Sequence, residues 1–277
     1  ILGSSTAGDI MVSDVTVCHN IPATLTPTAS IAFTNPVFTW YFDENKTQPI
    51  VSGAVVGGVT YAISATGALT VTGLTRAMSP ATYYVSVSSD VSCENIAGAL
   101  QTATILINDP ATPTTTDDSQ DFCLINAPTV DDIAVNETNV VWYTSATGGT
   151  AYAPTAALTD GAIYYGAFVD PLTGCESSGR LAVTVTVSDT VPPTTADTTQ
   201  DFCLENAPTV ADIAVNETGV IWYSAAQGGT PLAPNTALVN GTIYHGALVD
   251  AVTTCESSVR LAVTVTINDP GTPTTAD

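Results

Sequence analysis

Basic side chains are scarce in this sequence. Only four lysines and arginines stand against 26 aspartates and glutamates in 277 residues, so the formal net charge is −22. A nucleic-acid-binding surface needs clustered lysine and arginine to contact phosphate, and this composition excludes one. The same shortage argues against docking on anionic lipid. The acidity is typical of a surface that keeps neighbouring chains apart, and it leaves divalent cations as a ligand class to consider.

Long apolar runs and helical patterns are also missing. No apolar run reaches the ~18 residues that a membrane-spanning helix needs, so direct membrane insertion is not expected. No segment shows a helical period with caps at its ends. The chain is nevertheless 45% hydrophobic, which is enough to build packed cores. These observations favour an all-β protein of two or three domains.

The strongest signal in the sequence is an internal repeat. The segment 120–189 returns at 200–269 with no insertion or deletion, and about two-thirds of the aligned positions are identical. Both copies open on Gln-Asp-Phe-Cys, pass a Trp-Tyr pair, reach Cys-Glu-Ser-Ser, and end on Arg-Leu-Ala-Val-Thr-Val-Thr. A fixed period of this length indicates a tandem array of similar domains.

Strand signals recur inside each repeat. Val140–Tyr143 is β-branched and aromatic, and Leu181–Val187 alternates apolar residues with threonine, which predicts strands. Gly148 and Gly149, with their counterparts Gly228 and Gly229, predict turns after the tryptophan strand. Many short strands in about 80 residues predict a β-sandwich. The order Cys, Trp, Cys suits an immunoglobulin-like sandwich with the indole near a disulfide.

The first part of the chain is a longer version of the same unit. Phe38–Phe42 is a predicted strand that aligns with Val140–Tyr143, but the stretch from Trp40 to Cys93 has about twenty extra residues. These extra residues fall in Val51–Val71, where we predict an added hairpin or lengthened strands. The sequence therefore predicts three tandem immunoglobulin-like β-sandwich domains in an extended array, with these boundaries: 1–109 with an enlarged middle region, 110–189, 190–269, and the start of a further linker at 270–277.

The linkers at 108–119 and 188–199 are rich in proline, threonine and aspartate. Such composition favours extended backbone and semi-rigid spacers.

Six cysteines occupy equivalent places in the three units. Each unit has one near its start and one near its end, which predicts one disulfide per domain and an oxidising, extracellular compartment. The predicted pairs are Cys18–Cys93, Cys123–Cys175 and Cys203–Cys255. A metal site is the alternative, but no Cys-x-x-Cys pair occurs and there are only two histidines.

Catalytic signals are weak throughout. No Ser-His-Asp grouping or Gly-x-Ser-x-Gly elbow is visible, and no lysine follows residues 148–150 in the spacing of a phosphate loop. His245 replaces Tyr165 of the sister repeat, so we interpret it as a strand position. The adjacent Asp131 and Asp132 are interpreted as solvated surface. We expect a protein that is not an enzyme and has no catalytic, cofactor-binding or metal residues.

Two arginines stand out because cations are so few. Arg180 and Arg260 each follow the second cysteine of their repeat by five positions. We predict a local ion pair with Glu176 or Glu256, and a contact to the acidic linker is the alternative.

The repeats resemble a known family. The residues that carry the resemblance are Trp222–Thr230, Ile243–Tyr244 and Cys255–Val265, and they are similar to the bacterial Ig-like repeat of Bacteroidetes surface proteins. The resemblance is strong over 120–269 and looser over 15–107. It implies very long secreted proteins, including gliding-motility adhesins exported by the type IX secretion system. Residues 189–191 and 197–199 resemble the Asp-Ser/Thr-apolar O-glycosylation motif of that group, which implies O-glycosylation at Thr190 and Thr198.

We expect the chain to be a stalk or filament segment of a large surface adhesin, located outside the cell, that carries load in adhesion or gliding. Its partners are expected to be neighbouring repeats of the same longer chain, with surface glycans or other cell-surface proteins as further candidates. Two alternatives stay open: a glycan- or protein-binding module with exposed aromatics such as Tyr61 on the enlarged first domain, or accessory repeats of a secreted hydrolase. No resident cofactor is expected, but weak calcium binding is hypothesised at the acidic junctions, which contain Asp109, Asp117, Asp118 and Asp121, and Asp189, Asp197 and Asp201.

Overall fold

The computed structural model describes residues 3–29, 33–269 and 271. These ranges contain β-strands and short 3-10 turns, and no α-helix. The strands of the first domain are β1 (Gly3–Ser4), β2 (Ile10–Met11), β3 (Val15–Cys18), β4 (Ala23–Leu25), β5 (Thr28–Ala29), β6 (Val37–Tyr41), β7 (Val55–Val56), β8 (Val59–Ile63), β9 (Leu69–Thr72), β10 (Ala81–Ser88), β11 (Ser92–Cys93) and β12 (Gln101–Asn108). Those of the second repeat are β13 (Ser119–Cys123), β14 (Val140–Tyr143), β15 (Ile163–Phe168) and β16 (Leu181–Ser188), and those of the third are β17 (Thr199–Cys203), β18 (Ile221–Tyr223), β19 (Ile243–Ala247) and β20 (Leu261–Asn268).

One four-stranded sheet is common to all three units. Its order is β3-β12-β10-β6 in the first domain, β13-β16-β15-β14 in the second repeat and β17-β20-β19-β18 in the third. The first strand of this sheet pairs parallel with the last strand of its unit. The pairs β6–β10, β10–β12, β15–β16, β18–β19 and β19–β20 are antiparallel. The strands predicted around Trp142 and from Leu181 onward are confirmed as β14 and β16. The chain is thus a tandem array of Ig-like β-sandwiches.

The parallel pairing fixes where the first cysteine of each unit lies. Cys18 is opposite Asn108, and in the third repeat Cys203 is opposite Asn268. Because the first strand runs in the same direction as the last, its terminal cysteine lies where the chain leaves the domain. We call this end of each sheet the exit end.

The sheets bury one face, as the alternation predicts. In the third repeat, Val263 and Val265 of β20 pack with Trp222 and Tyr244 in one core cluster. The indole of Trp222 lies among aliphatic and tyrosine side chains, while Cys203 is exposed. The sequence predicted a disulfide beside the indole, and the described core around Trp222 contains none. Trp40 of the first domain is fully buried, and its Nε1 donates a 2.8 Å hydrogen bond to the carbonyl of Gly67.

The enlarged middle region of the first domain forms most of a second sheet. Its order is β4-β9-β8-β7, and β7 and β8 make the predicted hairpin. Tyr61 of β8 is only 5% exposed and contacts the rings of Phe42 and Tyr83 edge-on. The suggestion that Tyr61 is an exposed binding aromatic is wrong, because the alternation of β8 places it on the buried face.

The second and third repeats build their other layer without long strands. In the third repeat this layer contains the 3-10 turn Val210–Asp212 and an isolated bridge between Thr209 and Ala237. The buried Gln200 side chain replaces a strand partner, since its amide both accepts from Ala214 N–H and donates to the Ala214 carbonyl at 2.8 Å. Gln120 makes the same pair of bonds with Ala134 in the second repeat.

The chain divides into two compact bodies, and the division cuts across the repeats. The first comprises Ile1–Pro113, Glu137–Val141 and Ala167–Arg180, and the second comprises Thr114–Asn136, Trp142–Gly166 and Leu181–Asp277. Part of the second repeat thus groups with the first domain. The boundaries proposed from the sequence stay a prediction. Among the described residues, no helix is long and apolar enough to cross a membrane.

Candidate functional site: the joints between repeats

The disulfides connect successive units rather than closing each one. Cys18 of the first domain bonds Cys175 of the second repeat, and Cys123 of the second repeat bonds Cys255 of the third. Both pairs have a Cα–Cα distance of 5.2 Å, within the normal range for disulfides. The predicted pairs Cys18–Cys93, Cys123–Cys175 and Cys203–Cys255 are therefore wrong. Cys93 and Cys203 are free and exposed.

Strand direction explains the error. In the third repeat, Cys203 lies at the exit end of the sheet, whereas Cys255 precedes Leu261, the first residue of the eight-residue strand β20. A strand of that length spans roughly 20–25 Å, while cysteines more than ~7 Å apart at Cα do not bond without backbone movement. The first domain repeats this arrangement with Cys18 beside Asn108 and Cys93 before β12.

We call each region that a disulfide connects a joint, and each joint has two parts. The first part is the exit end of one domain together with the first residues of the linker that follows it. The other is the loop before the last strand of the next unit, called the cysteine loop and comprising residues 169–180 in the second repeat and 249–260 in the third. The corresponding loop of the first domain is 89–100.

A carboxylate tether accompanies each disulfide. At the first joint, Asp109 accepts hydrogen bonds from the N–H and the hydroxyl of Ser178, both at 2.8 Å. At the second joint, Asp189 accepts from the N–H of Ser258 at 2.8 Å and from its hydroxyl at 2.6 Å. Burial alone would raise the pKa of Asp189, but hydrogen bonds from Ser258 and from the backbone of Thr190 outweigh it and hold the pKa below its ordinary value.

Other contacts differ between the joints. At the first joint, the Asn108 amide donates to the hydroxyl of Thr173 at 2.6 Å and to the carboxylate of Asp170 at 3.2 Å. Gly179 packs against the side chain of Thr112 so closely that a Cβ at position 179 would overlap it. At the second joint, the hydroxyl of Thr190 donates to the carbonyl of Cys255 at 2.6 Å. The disulfide and the tether are thus the constant parts, and the rest is adapted to each pair of repeats.

The motif Cys-Glu-Ser-Ser can now be interpreted residue by residue. Its cysteine forms the disulfide and its last serine holds the linker aspartate. Its first serine is buried, and in the third repeat the Ser257 hydroxyl accepts from the N–H of Leu248 while its own N–H donates to the Leu248 carbonyl. This serine fixes the loop to the end of the preceding strand.

The glutamate of the motif anchors the loop to the sheet. Glu256 accepts from the hydroxyl of Tyr223 at 2.6 Å and forms an ion pair with Arg260 at 2.9 Å. The guanidinium of Arg260 also lies 3.4 Å from the centre of the Tyr223 ring, which is a cation–π contact. The predicted local ion pair is confirmed for Arg260.

The first domain holds its glutamate with a different cation. Glu94 accepts from the hydroxyl of Tyr41 at 2.8 Å and pairs with Lys46 at 2.8 Å. Burial and the neighbouring Glu94 raise the pKa of Tyr41 to about 12. Burial works against ionisation of Glu94, yet bonds from Lys46, Ser86 and Tyr41 lower its pKa. Lys46, which lies far from Glu94 in sequence, therefore has the role that Arg260 has in the third repeat.

The two histidines differ in setting. His245 lies within β19 opposite Tyr223 and Ala262, as the sequence predicted. His19 directly follows Cys18, and both of its ring nitrogens are buried without a hydrogen-bond partner among the described residues.

The surface interpretation of Asp131 and Asp132 is confirmed, since both are exposed. Asp132 has a structural role that the sequence did not show. Its carboxylate accepts from the N–H and the hydroxyl of Thr129 at the start of a 3-10 turn, and these bonds lower its pKa.

The proposed glycosylation residues lie in different surroundings. Thr190 is half-buried, and its hydroxyl is bonded to the Cys255 carbonyl, so a glycan there would remove that bond. Thr198 is exposed. O-glycosylation at both residues stays a prediction.

The acidic junctions show no preformed metal centre in the part of the chain that the structure describes, where no group of three or more His, Cys, Asp or Glu is arranged to hold an ion. The oxygens of Asp109 are bonded to Ser178, and one oxygen of Asp117 accepts from the Ser119 N–H. Calcium binding stays a hypothesis, which calorimetry in chelator and in several millimolar calcium tests.

Sequence reasoning missed the tether between linker aspartate and loop serine. A signal for it was present, because Asp109 precedes Ser178 by the same 69 residues that separate Asp189 from Ser258. The identity of the four-residue motif in both copies was a second signal.

Comparison with protein families matches residues 110–188 and 191–269 to the Ig-like domain described as CHU_C associated. The chain belongs to this family. The two matched segments of this Ig-like family contain both cysteine loops of the bonded joints, and together they cover more than half of the chain. A comparison with curated proteins returned no match.

The solved structures that match include several proteins made of Ig domains. The N-terminal four Ig domains of Dscam1 are 12% identical, with 97% of this chain and 73% of that chain covered and a TM-score of 0.28. A fragment from the I-band of titin is 12% identical, with 94% and 97% covered and a TM-score of 0.29. Extracellular domains 3–5 of Drosophila OTK are 11% identical, with 97% and 100% covered and a TM-score of 0.26.

Proposed function

We propose that the chain is a non-enzymatic, load-bearing stalk or filament segment of a large secreted bacterial cell-surface adhesin. In this proposal it projects an adhesive tip, serves surface adhesion or gliding motility, and is exported by the type IX secretion system of a Bacteroidetes cell. The family membership supports a structural or adhesive Ig-like module. The two disulfides are compatible with an extracellular, oxidising location.

The observation that carries the proposal is the covalent bond at each joint. A domain closed on itself would leave its linker as the only covalent connection to the next domain. Here Cys18–Cys175 and Cys123–Cys255 connect neighbouring domains. Tension along the chain therefore passes through a disulfide as well as through the linker peptide. The tethers of Asp109 and Asp189 hold the linker start against the next cysteine loop. A segment that transmits force is expected to have such fastenings.

The test uses the protein on the intact source cell. Antibody to this chain, visualised by electron microscopy, should label filaments that project from the surface. A chromosomal Cys18→Ser, Cys123→Ser strain should retain the label but detach from glass at lower shear than its parent. A Cys93→Ser, Cys203→Ser strain is the matched control for loss of thiols that form no bridge within the chain.

Two results would contradict the proposal. Label confined to the cell interior would remove the surface role. Equal shear resistance in the parent and the Cys18→Ser, Cys123→Ser strain, at equal surface amounts, would remove the load-bearing role.

A further inference from the structure

The second sheet of the first domain ends on strand β7, the last strand in the order β4-β9-β8-β7. On one side β7 pairs with β8, through Val55 with Thr60 and Val56 with Val59. On its other side β7 has no strand partner among the described residues. An open edge of this kind offers backbone groups to which another strand can be added.

The register of the hairpin shows which backbone groups of β7 face outward. Opposed residues of an antiparallel pair alternate between hydrogen-bonded and non-hydrogen-bonded pairs. Ala54 accepts a 3.0 Å hydrogen bond from the N–H of Tyr61, so the next pair, Val55 with Thr60, is of the non-hydrogen-bonded kind. The N–H and the carbonyl of Val55 therefore point away from β8, toward the open edge.

The side chains around this edge are apolar and uncharged. Val51, Val55 and Val56 are 64%, 66% and 51% exposed, and residues 47–75 contain no charged side chain. Proteins commonly blunt a sheet edge with charge, with proline or with a very short strand. β7 has only two residues, which limits the contact, but it carries no charge and no proline.

Other sheet edges of the chain are blunted by their residues. The strand β4, at the opposite edge of the same sheet, lies between Pro22 and Pro27. The outer strands β13 and β17 of the later repeats contain the exposed aspartates Asp121 and Asp201. The combination of an open edge with exposed valines is therefore a local feature of the enlarged first domain.

We propose that two copies of this chain associate through β7, with the two Val55 residues opposite each other across a two-fold axis. In this antiparallel pairing the N–H of each Val55 donates to the carbonyl of the other. One outward-facing residue is then its own complement, as an isologous contact requires. The second sheet of the first domain continues from one copy into the other.

The charge of the chain favours a second copy at this edge. At a net charge of −22, two copies repel each other, so they approach most easily where neither presents a charged side chain. A basic partner would be attracted to the acidic surfaces instead. Because β7 is so short, the association is weak and reversible. The inference depends on the edge of this sheet and not on the adhesin role.

The first test measures association of the full chain by sedimentation equilibrium at about 0.1–1 mM, a range that detects weak dimers. Alkylation of the exposed thiols of Cys93 and Cys203 beforehand excludes covalent dimers. We expect a monomer–dimer equilibrium that tightens several-fold when salt is raised, because salt screens the repulsion between the acidic chains. A chain that stays monomeric over this range, or a dimer that weakens in salt, would overturn the proposal.

Charge substitutions at Val55 test the two-fold contact itself. Val55→Lys and Val55→Glu each place like charges opposite each other, so each variant alone should dimerise several-fold more weakly than wild type. An equimolar mixture of the two variants should restore the dimer, because opposite charges then meet across the axis. Since Val55 is exposed, neither substitution should change denaturant unfolding, which is measured alongside.

The matched control is Val239→Lys, which adds the same charge at a 59% exposed valine of the third repeat. This variant should dimerise as the wild type does. Undiminished association of Val55→Lys, or no recovery in the mixture of the two Val55 variants, would show that the contact lies elsewhere and would overturn the proposal.

Discussion

Ser258 donates both its backbone N–H and its hydroxyl to the two carboxylate oxygens of Asp189, at 2.8 and 2.6 Å. Asp189 begins a linker and Ser258 belongs to the next cysteine loop, so the pair fastens the linker to the following repeat. The disulfide Cys123–Cys255 fastens the same two regions by a different bond. Each joint therefore has a covalent and a non-covalent fastening whose effects can be separated.

Substitution of the tether serine should loosen one joint only. Ser258→Ala keeps the backbone bond but loses the hydroxyl bond to a carboxylate, which is expected to cost about 1 kcal/mol of local opening free energy. Hydrogen exchange should show faster exchange at the 258 amide. Ser178→Ala is the matched control, and it should affect the first joint while leaving the second unchanged. Loss of protection throughout the chain in either variant would contradict a local role.

The second tether should weaken in acid. The folded pKa of Asp189 lies below its ordinary value, so the tether contributes stability above the unfolded pKa of ~3.9 and loses it as the pH falls through the folded pKa. The NMR shift of the Ser258 amide should titrate with a midpoint below ~3.9. Asp189→Asn should abolish that transition. A midpoint above the ordinary value would show that the hydrogen bonds do not favour the ionised carboxylate.

Removing a bridging cysteine should destabilise the chain, whereas removing a free one should not. Cys18→Ser opens a bridge across 157 positions, and the chain-entropy account gives up to about 5 kcal/mol for a closure of that length. Cys93→Ser should leave denaturant unfolding unchanged because that thiol is exposed and unbonded. Thiol titration of the unfolded proteins should find one more free thiol in Cys18→Ser than in wild type, and one fewer in Cys93→Ser. Equal unfolding midpoints would contradict the observed pairing.

Replacing His19 with leucine should stabilise the first joint. The ring nitrogens of His19 are buried without a partner in the described structure, and the sister repeats have Leu124 and Leu204 at this position. An unsatisfied buried polar group costs about 1–3 kcal/mol, so His19→Leu should raise the thermal unfolding midpoint. His245→Leu is the control at a strand position. A lower midpoint for His19→Leu would indicate that the ring has a partner, such as water.

Pulling the chain from its ends should give a short extension while both bridges are intact. The shortest covalent path then crosses both disulfides and contains about 90 residues, or roughly 300–330 Å when fully extended. After reduction of both disulfides, the maximum end-to-end extension should rise to roughly 910–990 Å, because the whole chain can then unfold. A single-molecule record in oxidising buffer that reaches the longer limit would contradict bridging between repeats. Cys93→Ser should leave both limits unchanged.

Much of the fold could be predicted from the residues. The β-branched runs located β14 and β16, and the extra residues before β9 formed the predicted hairpin. The glycine pairs have the positive φ angles that such turn positions require. The ion pair of Arg260 with Glu256 followed from their separation of four positions. These features depend on local sequence, so a local pattern was sufficient to find them.

The disulfide pattern could not be found in the same way. The repeat shows which cysteines are equivalent, but it does not show which end of the sheet each one occupies. That depends on the parallel pairing of Cys18 with Asn108 and of Cys203 with Asn268, which is a long-range choice. The tether of Asp109 to Ser178 is equally remote in sequence. The disulfide pairing becomes visible only when the strand order is known, whereas the tether leaves one trace in the sequence, the equal spacing of 69 residues in both copies.

The overlapping bridges also protect the chain against cleavage of its backbone. Cys18–Cys175 and Cys123–Cys255 interlock in sequence, so three separate stretches of polypeptide connect one disulfide to the other. These stretches run from Cys18 to Cys123, from Cys123 to Cys175, and from Cys175 to Cys255. One protease cut in any of them leaves the two ends of the chain covalently joined, and so does one cut in each of two. A nick that would sever an ordinary string of domains therefore leaves the two ends of this chain connected by covalent bonds.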